Sequence, residues 1–224
     1  PVEAAVTAVP TLTVLGDGTV ITQAPVTAIY PGPAIVPLLA ATADAPTLDD
    51  LVRRAADLGL LAGPLEFGRP PVADAPDTTL TITAGGVTHR HRVYALGITD
   101  DPTAGGPTGV RPQEAANRRA VQAFLALAER LPPGTTPWPP PAVAVYVLGD
   151  YRPEPGLSQP QAAWPLAREP ATTGATESCT LIEGDDVRVL AGALTKANQR
   201  TPWAIGGRLR SLAFRPVVPG QEGC

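Results

Sequence analysis

Lysine, methionine and aromatic side chains are scarce in this sequence of 224 residues, which has one lysine, no methionine and 4% aromatic residues. The lysine, Lys196, follows no glycine-rich loop, so the phosphate-binding loop of nucleotide-binding proteins is excluded. The zinc-protease pattern His-Glu-x-x-His is absent, and no serine stands in a nucleophile-elbow sequence. With so few aromatic residues, we expect a core of leucine, valine, isoleucine and alanine.

Long apolar runs and excess positive charge are absent as well. No segment approaches the roughly 20 apolar residues that a membrane-spanning helix requires. The formal net charge is −4, which argues against a nucleic-acid partner because phosphate binding needs a basic surface. We therefore expect neither a transmembrane segment in this chain nor binding to nucleic acid.

Histidine occurs only at His89 and His91. Alternate residues of a strand point to the same face, so the two imidazoles would lie about 7 Å apart on one face. Such a pair could bind a metal if a carboxylate joined it, and Asp74 and Asp77 are the nearest in sequence. The alternative is an exposed strand face. Two histidines are fewer ligands than a zinc site needs, so we expect neither a metal nor another cofactor.

The cysteine content consists of Cys179 and Cys224. No Cys-x-x-Cys or cysteine–histidine zinc spacing is present. An even, minimal number of cysteines in an exported protein indicates a disulfide bond, whereas the alternative is two unrelated free thiols. We predict that the two cysteines are bonded and that the chain is exported, to the extracellular space or the cell envelope.

What the sequence does contain is a pattern of strand, glycine turn and returning strand that occurs twice. The first copy covers about residues 11–23 and the second about 78–96. A segment with helical spacing follows each copy. Repeated hairpin–helix units predict an α+β fold, with an antiparallel sheet and helices packed on one face. The other face of such a sheet would stay free for a partner.

Three helices are predicted from the spacing of apolar residues. Thr47 is the expected N-cap of the first, Pro112 is the expected first residue of the second, and the third begins at about Asp185. In the second helix, we expect Leu125 in the centre of the buried stripe and Arg118 on or near the solvated face.

A proline-rich run at residues 132–141 divides the chain. Such runs favour polyproline II and act as semi-rigid connectors. We therefore predict a module of two hairpin–helix units over 1–131 and a smaller α+β module over 142–224 that the disulfide closes. In the smaller module a buried strand begins at Ala142, and residues 150–178 are a loop. A single domain with a long surface loop is the alternative.

Aspartate pairs stand at 49–50, 100–101 and 185–186. Paired carboxylates can bind Ca²⁺ or act as general acid and base. The first and third pairs coincide with predicted helix starts, so capping explains them. Asp100 and Asp101 lie in a loop rich in glycine and proline, where no capping role is expected. A carboxylate-based hydrolase with a site near Asp100 is therefore the alternative function.

All three tryptophans, Trp138, Trp164 and Trp203, lie in the second half of the chain. Exposed tryptophans can carry much of the binding energy of an interface. The alternative is that they fill the edges of a core that has few aromatic residues. We name Trp138 and Trp164 as candidate partner-binding residues and expect Trp203 in the core.

Three segments resemble those of uncharacterised exported proteins and lipoproteins of high-GC actinobacteria: Gly16 to Val20, Asp74 to Thr79, and the ending from Trp203 to Cys224. The first half also resembles hairpin–helix domains of unknown function. The resemblance implies export and allows a lipid anchor in the precursor, but it implies no activity. We expect a non-catalytic binding or interaction protein of the cell envelope or extracellular space, acting on an unknown protein or envelope partner. An enzyme inhibitor is the concrete version by fold analogy.

Overall fold

The computed structural model describes residues 3, 6–98, 109–172 and 178–224. These residues form the following strands and helices, in chain order: β1 Leu12–Val14, β2 Thr19–Gln23, β3 Leu38–Thr42, α1 Ala45–Asp57, β4 Asp77–Ala84, β5 Val87–Tyr94, α2 Pro112–Ala128, β6 Thr136–Pro137, β7 Ala142–Asp150, β8 Ala162–Ala163, β9 Ser178–Glu183, α3 Asp185–Leu194, β10 Trp203–Ile205 and β11 Arg208–Val217. The predicted α+β class is confirmed. The repetition of a hairpin–helix unit stays a prediction.

Two compact units make up the chain. The first unit contains residues 1–42 and 133–224, and the second unit contains residues 43–132. This division differs from the predicted modules, because the first hairpin belongs with the carboxyl-terminal segments. The proline-rich run explains the difference. Its strand β6 pairs with β3, and a Cβ at Gly134 would lie 2.5 Å from the main chain of Leu39, so the run packs closely against that strand.

The first unit contains two sheets. The smaller is antiparallel, with the strand order β1-β2-β3-β6. The larger has the order β8-β10-β11-β7-β9, and its strands are antiparallel except for β8 and β10. The region predicted as a loop, 150–178, therefore includes β8 and the first residue of β9. A two-residue strand such as β8 has no periodicity that a sequence pattern could reveal.

Strand β7, an interior strand of the larger sheet, is buried on both faces. Val143, Val145 and Val147 share an apolar cluster with residues of α3. Ala144 and Tyr146, which point the other way, lie in a second buried cluster. The buried strand predicted from Ala142 is confirmed. The expectation that one sheet face stays free is wrong for this strand, because Val6 and the carboxyl-terminal segment that ends at Cys224 pack against that face.

The predicted disulfide is present between Cys179 of β9 and Cys224, whose Cα atoms are 5.7 Å apart. The buried Arg215 holds the same carboxyl-terminal segment. Its guanidinium donates to the carbonyl oxygens of Glu222 and Gly223, at 3.0 and 2.8 Å, and to the hydroxyl of Tyr146. The end of the described chain is therefore attached to the larger sheet by one covalent bond and by hydrogen bonds.

The second unit consists of α1, the two-stranded β4–β5 ribbon and α2. Asp44, rather than the predicted Thr47, is the N-cap of α1, and its carboxylate accepts a hydrogen bond from the Thr47 main-chain N–H at 3.0 Å. The pair at 49–50 therefore lies in the second turn, where Asp50 forms an ion pair with Arg53. None of the helices in the described residues has the length and apolar character that a bilayer crossing requires.

Helix α2 buries Val121, Phe124 and Ala128 of its apolar stripe, but two of its residues lie differently from the prediction. Arg118 is fully buried, whereas Leu125 is only partly buried. The Arg118 guanidinium donates to the carbonyl oxygens of Phe67, Tyr94 and Ala95, at 3.3, 3.0 and 3.0 Å. The prediction for Arg118 was wrong because an arginine is ordinarily assigned to the surface. Here three main-chain acceptors make its burial favourable.

Candidate partner-binding site

The long connection between β2 and β3 forms a loop whose two ends are joined by a hydrogen bond. Strands β2 and β3 are antiparallel neighbours, and the N–H of Ala24 donates to the carbonyl of Pro37 at 2.9 Å where the loop begins and ends. Four prolines, at 25, 31, 33 and 37, fall in this connection. Proline fixes φ and removes a main-chain donor, so the segment cannot continue the sheet and its backbone is restricted. We call residues 24–33 the apolar loop.

The apolar loop exposes three large side chains within five positions. Val26, Ile29 and Tyr30 have exposed fractions of 54%, 67% and 62%. Single exposed apolar residues are ordinary on a protein surface, but a cluster of them marks an interaction site more often. Full burial of such a side chain is worth about 1.5–3 kcal/mol, so the three together could drive the binding of a partner.

Hydrogen bonds hold the base of the apolar loop. Gly32 and Gln199 exchange two of them: the Gly32 N–H donates to the Gln199 side-chain oxygen at 3.3 Å, and the Gln199 N–H donates to the Gly32 carbonyl at 3.0 Å. Pro33 also forms a β-bridge with Asn198. A Cβ on Gly32 would lie 3.2 Å from the Gln199 side-chain oxygen, so glycine permits this close approach. The loop is therefore held in place before any partner binds.

Tyr30 is fixed through its hydroxyl group. The hydroxyl donates a hydrogen bond to the carboxylate of Glu154, which also lies 3.5 Å from the guanidinium of Arg200. The hydrogen bond to Glu154 raises the pKa of Tyr30 above its ordinary value, so the phenol keeps its proton and stays neutral. The ring of Tyr30 is exposed while its polar end is satisfied, which is the arrangement found at many interface hot spots.

The two tryptophans named from the sequence pack into apolar clusters that do not include the exposed side chains of the apolar loop. Trp138 is partly buried and packs against the cluster of Ile21, Leu38 and Val218. Trp164 is also partly buried, and its ring N–H donates to the Arg168 carbonyl at 2.8 Å. They belong to different apolar clusters. Their role in binding stays a prediction.

Trp203 lies in the core, as expected. Its exposed fraction is 1%, and its ring meets those of Trp164 and Phe214 edge to face, with centroids 6.1 and 5.4 Å away. Edge-to-face contacts of this kind add to the stability gained from burial alone. These three rings therefore stabilise the core of the first unit.

The histidine pair lies on one face of the ribbon, as predicted, since His89 and His91 stand opposite Ile82 and Leu80. His91, however, is buried rather than exposed, with its Nε2 atom 2.8 Å from the carbonyl oxygen of Leu60. Asp77, one of the carboxylates considered, instead accepts from Arg92 at 2.5 Å. No group of three or more potential metal ligands occurs in the part of the chain that the structure describes.

One of the two remaining aspartate pairs begins a helix, and the other lies outside the described residues. Asp185 is the first residue of α3 and forms an ion pair with Arg188, as expected of an acidic residue at a helix start. Asp100 and Asp101, on which the hydrolase alternative rests, lie outside the described residues. That alternative therefore stays a prediction.

Two shallow concavities also occur, one in each unit. One has a volume of about 470 Å³ and is lined by residues that include Tyr146, Cys179 and Arg215, but the Arg215 guanidinium is already bonded to main-chain carbonyls. The other lies at the start of α2 beside Glu114. Arg111 donates to that carboxylate through its main chain and side chain, which lowers the pKa of Glu114. Both sets of charged groups serve the fold.

No family model matches this chain, and neither the curated proteins nor the solved structures contain a match to it. The apolar loop is thus identified by its geometry alone. Its prolines predict only a break between strands, so the sequence did not mark it as a site. A possible signal was the succession of large apolar residues and prolines at 25–31, which is unusual for a solvated loop.

Proposed function

We propose that this protein is an exported, non-catalytic binding protein of the cell envelope or extracellular space, and that the apolar loop is its main contact with a protein partner. The observation that carries this proposal is the joint exposure of Val26, Ile29 and Tyr30 on an anchored base. A loop that is ordered before binding loses less conformational entropy when it binds.

The disulfide supports export. Bonds such as that between Cys179 and Cys224 persist in oxidising compartments and are rare in the cytosol. A lipid anchor in the precursor would place the protein at the cell envelope and is part of the proposal. The neutral, apolar character of the exposed side chains in the apolar loop favours a protein partner with an apolar cleft.

An inhibitor is the concrete form of this proposal. Protease–inhibitor complexes typically form with little backbone movement, since the inhibitor presents a preformed surface to a cleft. The apolar loop has this property, because the hydrogen bonds of Gly32 and the hydroxyl contact of Tyr30 fix both its base and one of its exposed side chains.

The proposal is tested by affinity capture from the envelope fraction of the source cells. The immobilised wild-type protein is compared with a triple variant, Val26→Ser, Ile29→Ser and Tyr30→Ser, which removes the apolar surface. The matched control carries the same number of changes at exposed apolar residues elsewhere: Val52→Ser, Val189→Ser and Leu209→Ser. We expect a captured protein that the control retains and the loop variant loses. Equal capture by all three proteins, or equal loss in both variants, would contradict a role for the loop.

A further inference from the structure

The β4–β5 ribbon has an open edge. It is a two-stranded sheet with eight residues in each strand, joined by the turn Gly85-Gly86. A strand at the edge of a sheet presents unpaired N–H and C=O groups to which another strand can bind. Two strands are also fewer than an independently stable sheet usually needs.

The register shows which main-chain groups point outward. The N–H of Ala95 donates to the carbonyl of Pro76, so hydrogen-bonded pairs alternate from there along the ribbon. On β4, the main-chain groups of Asp77, Thr79, Thr81 and Thr83 therefore point away from β5. The three threonines are exposed, and none of them has a main-chain hydrogen bond to another described residue.

The two edges of the ribbon differ in their protection. The outward-pointing residues of β5 include Arg90 and Arg92, both exposed, and the carbonyl of Tyr94 on that edge already accepts from Arg118. Charged side chains on an edge strand oppose pairing with another strand. On β4, by contrast, no charged residue and no proline occurs from Thr78 to Ala84.

The β4 edge is also complementary to itself. If two copies of β4 pair antiparallel about a twofold axis through Thr81, Thr79 faces Thr83 of the other copy and Leu80 faces Ile82. No like charges face each other, and threonine pairs are favourable across antiparallel strands. On β5, a twofold axis through Arg90, the residue opposite Thr81, would instead bring the two copies of Arg90 together, and these like charges repel each other.

We propose that two copies of this protein associate through β4, forming a continuous four-stranded antiparallel sheet with about six new main-chain hydrogen bonds between the copies. The outer edges of this sheet are the two β5 strands with their arginines, so pairing stops at a dimer. The interface is isologous, as in most symmetric dimers. The proposal concerns the second unit and does not depend on the function of the apolar loop.

The test is the mass of the full-length protein in solution, measured by sedimentation equilibrium over a range of concentrations. We expect wild type to double in mass as the concentration rises. Thr81→Glu and Thr81→Lys should each remain monomeric, because like charges would meet on the twofold axis. An equimolar mixture of the two should regain the doubled mass, since opposite charges would then meet. The control Thr88→Glu adds the same charge as Thr81→Glu at an exposed position of the β5 edge and should dimerise like wild type.

Several results would overturn the proposal: a monomeric wild type at every concentration, a dimer that survives both Thr81 variants, or a mixture that stays monomeric. Hydrogen exchange of the wild-type peptide 77–84 gives a second measurement that needs no variant. Its main-chain amides should exchange more slowly as concentration rises, whereas those of peptide 87–94 should not change. Protection that is independent of concentration would count against this interface.

Discussion

The two units of the molecule differ in the largest side chains that they bury completely. In the first unit, the main core cluster consists of aliphatic and aromatic residues, among them Trp203, Leu190 and Phe214. In the second unit, two of the largest fully buried side chains are His91 and Arg118. Each of these bonds to main-chain carbonyl oxygens of segments outside regular structure or at a strand end.

This difference shows two ways of ordering a chain around a core. Apolar packing is not directional, so loss of one side chain leaves a cavity whose cost depends on its size. A buried polar side chain satisfies particular acceptors, and its removal leaves each of them without a donor. Arg118 holds three main-chain carbonyls at once, whereas Arg215, the buried arginine of the first unit, bonds two main-chain carbonyls near the carboxyl end and the hydroxyl of Tyr146.

The largest effect is expected in the first unit, from Trp203→Ala. Removing a fully buried tryptophan should lower the free energy of unfolding by about 3–5 kcal/mol. Urea unfolding followed by tryptophan fluorescence measures this, since all three tryptophans belong to the first unit. Trp138→Ala is the matched control, and the partial burial of Trp138 predicts a smaller loss. Equal losses would mean that Trp203 is not central to this core.

The next effect is expected in the second unit, from Arg118→Met, which keeps an unbranched apolar chain but removes every donor. We expect a loss of about 3 kcal/mol, because buried acceptors without partners cost about 1–3 kcal/mol each and the structure can relax around some of them. Unfolding followed by far-ultraviolet circular dichroism measures the change. The exposed neighbour Arg119→Met should stay within about 0.5 kcal/mol of wild type.

Leu125→Ala provides a second comparison for the same helix. Leu125 is only partly buried, so its truncation should destabilise the protein less than Arg118→Met. This order reverses the one expected from the apolar stripe of the sequence. A larger loss for Leu125→Ala than for Arg118→Met would restore the sequence-based assignment of the helix face.

The smallest effect is expected on the dependence of stability on pH. Hydrogen bonds from Arg111 lower the pKa of Glu114 from its ordinary value of 4.5, and the side chain of Arg92 similarly lowers the pKa of Asp77, also in the second unit. A lowered pKa in the folded state means that the carboxylate stabilises the protein above its unfolded pKa. This contribution is lost as the pH falls through the folded value.

Glu114→Gln tests this linkage. We expect it to be less stable than wild type at pH 7, and the difference should shrink progressively below about pH 4.5. The urea midpoints of both proteins at several pH values measure it, with the exposed Glu129→Gln as the control that shows no such convergence. A difference between Glu114→Gln and wild type that is the same at pH 7 and at pH 3 would show that the ionised carboxylate is not the stabilising form.

Local features were well predicted from the sequence. Both hairpins are present, because glycine turns and alternating residues determine a hairpin within a few positions. Pro112 begins α2 as expected, since proline fits the first position of a helix. The bond between Cys179 and Cys224 was predicted because only one pairing of two cysteines exists.

The apolar loop was not predicted as a site. Its prolines correctly mark an interruption between strands, but the exposure of Ile29 and Tyr30 depends on Gln199 and Glu154, which lie far away in sequence. The open edge of β4 was equally hidden. A hairpin pattern predicts two paired strands, yet it does not say whether a third strand covers either edge.

The sequence by itself determined the short-range structure of this protein: its turns, the starts of α2 and α3, its disulfide and its α+β class, because each depends on residues that are close in the chain or few in number. Only the tertiary structure decided which segments share a unit and which side chains are buried. Strand β6 joins the smaller sheet of the first unit through pairing with β3. Arg118 is buried because three carbonyl oxygens from two other segments lie around it. Such acceptors come together only when distant segments fold against one another, and no local pattern of residue types encodes that meeting.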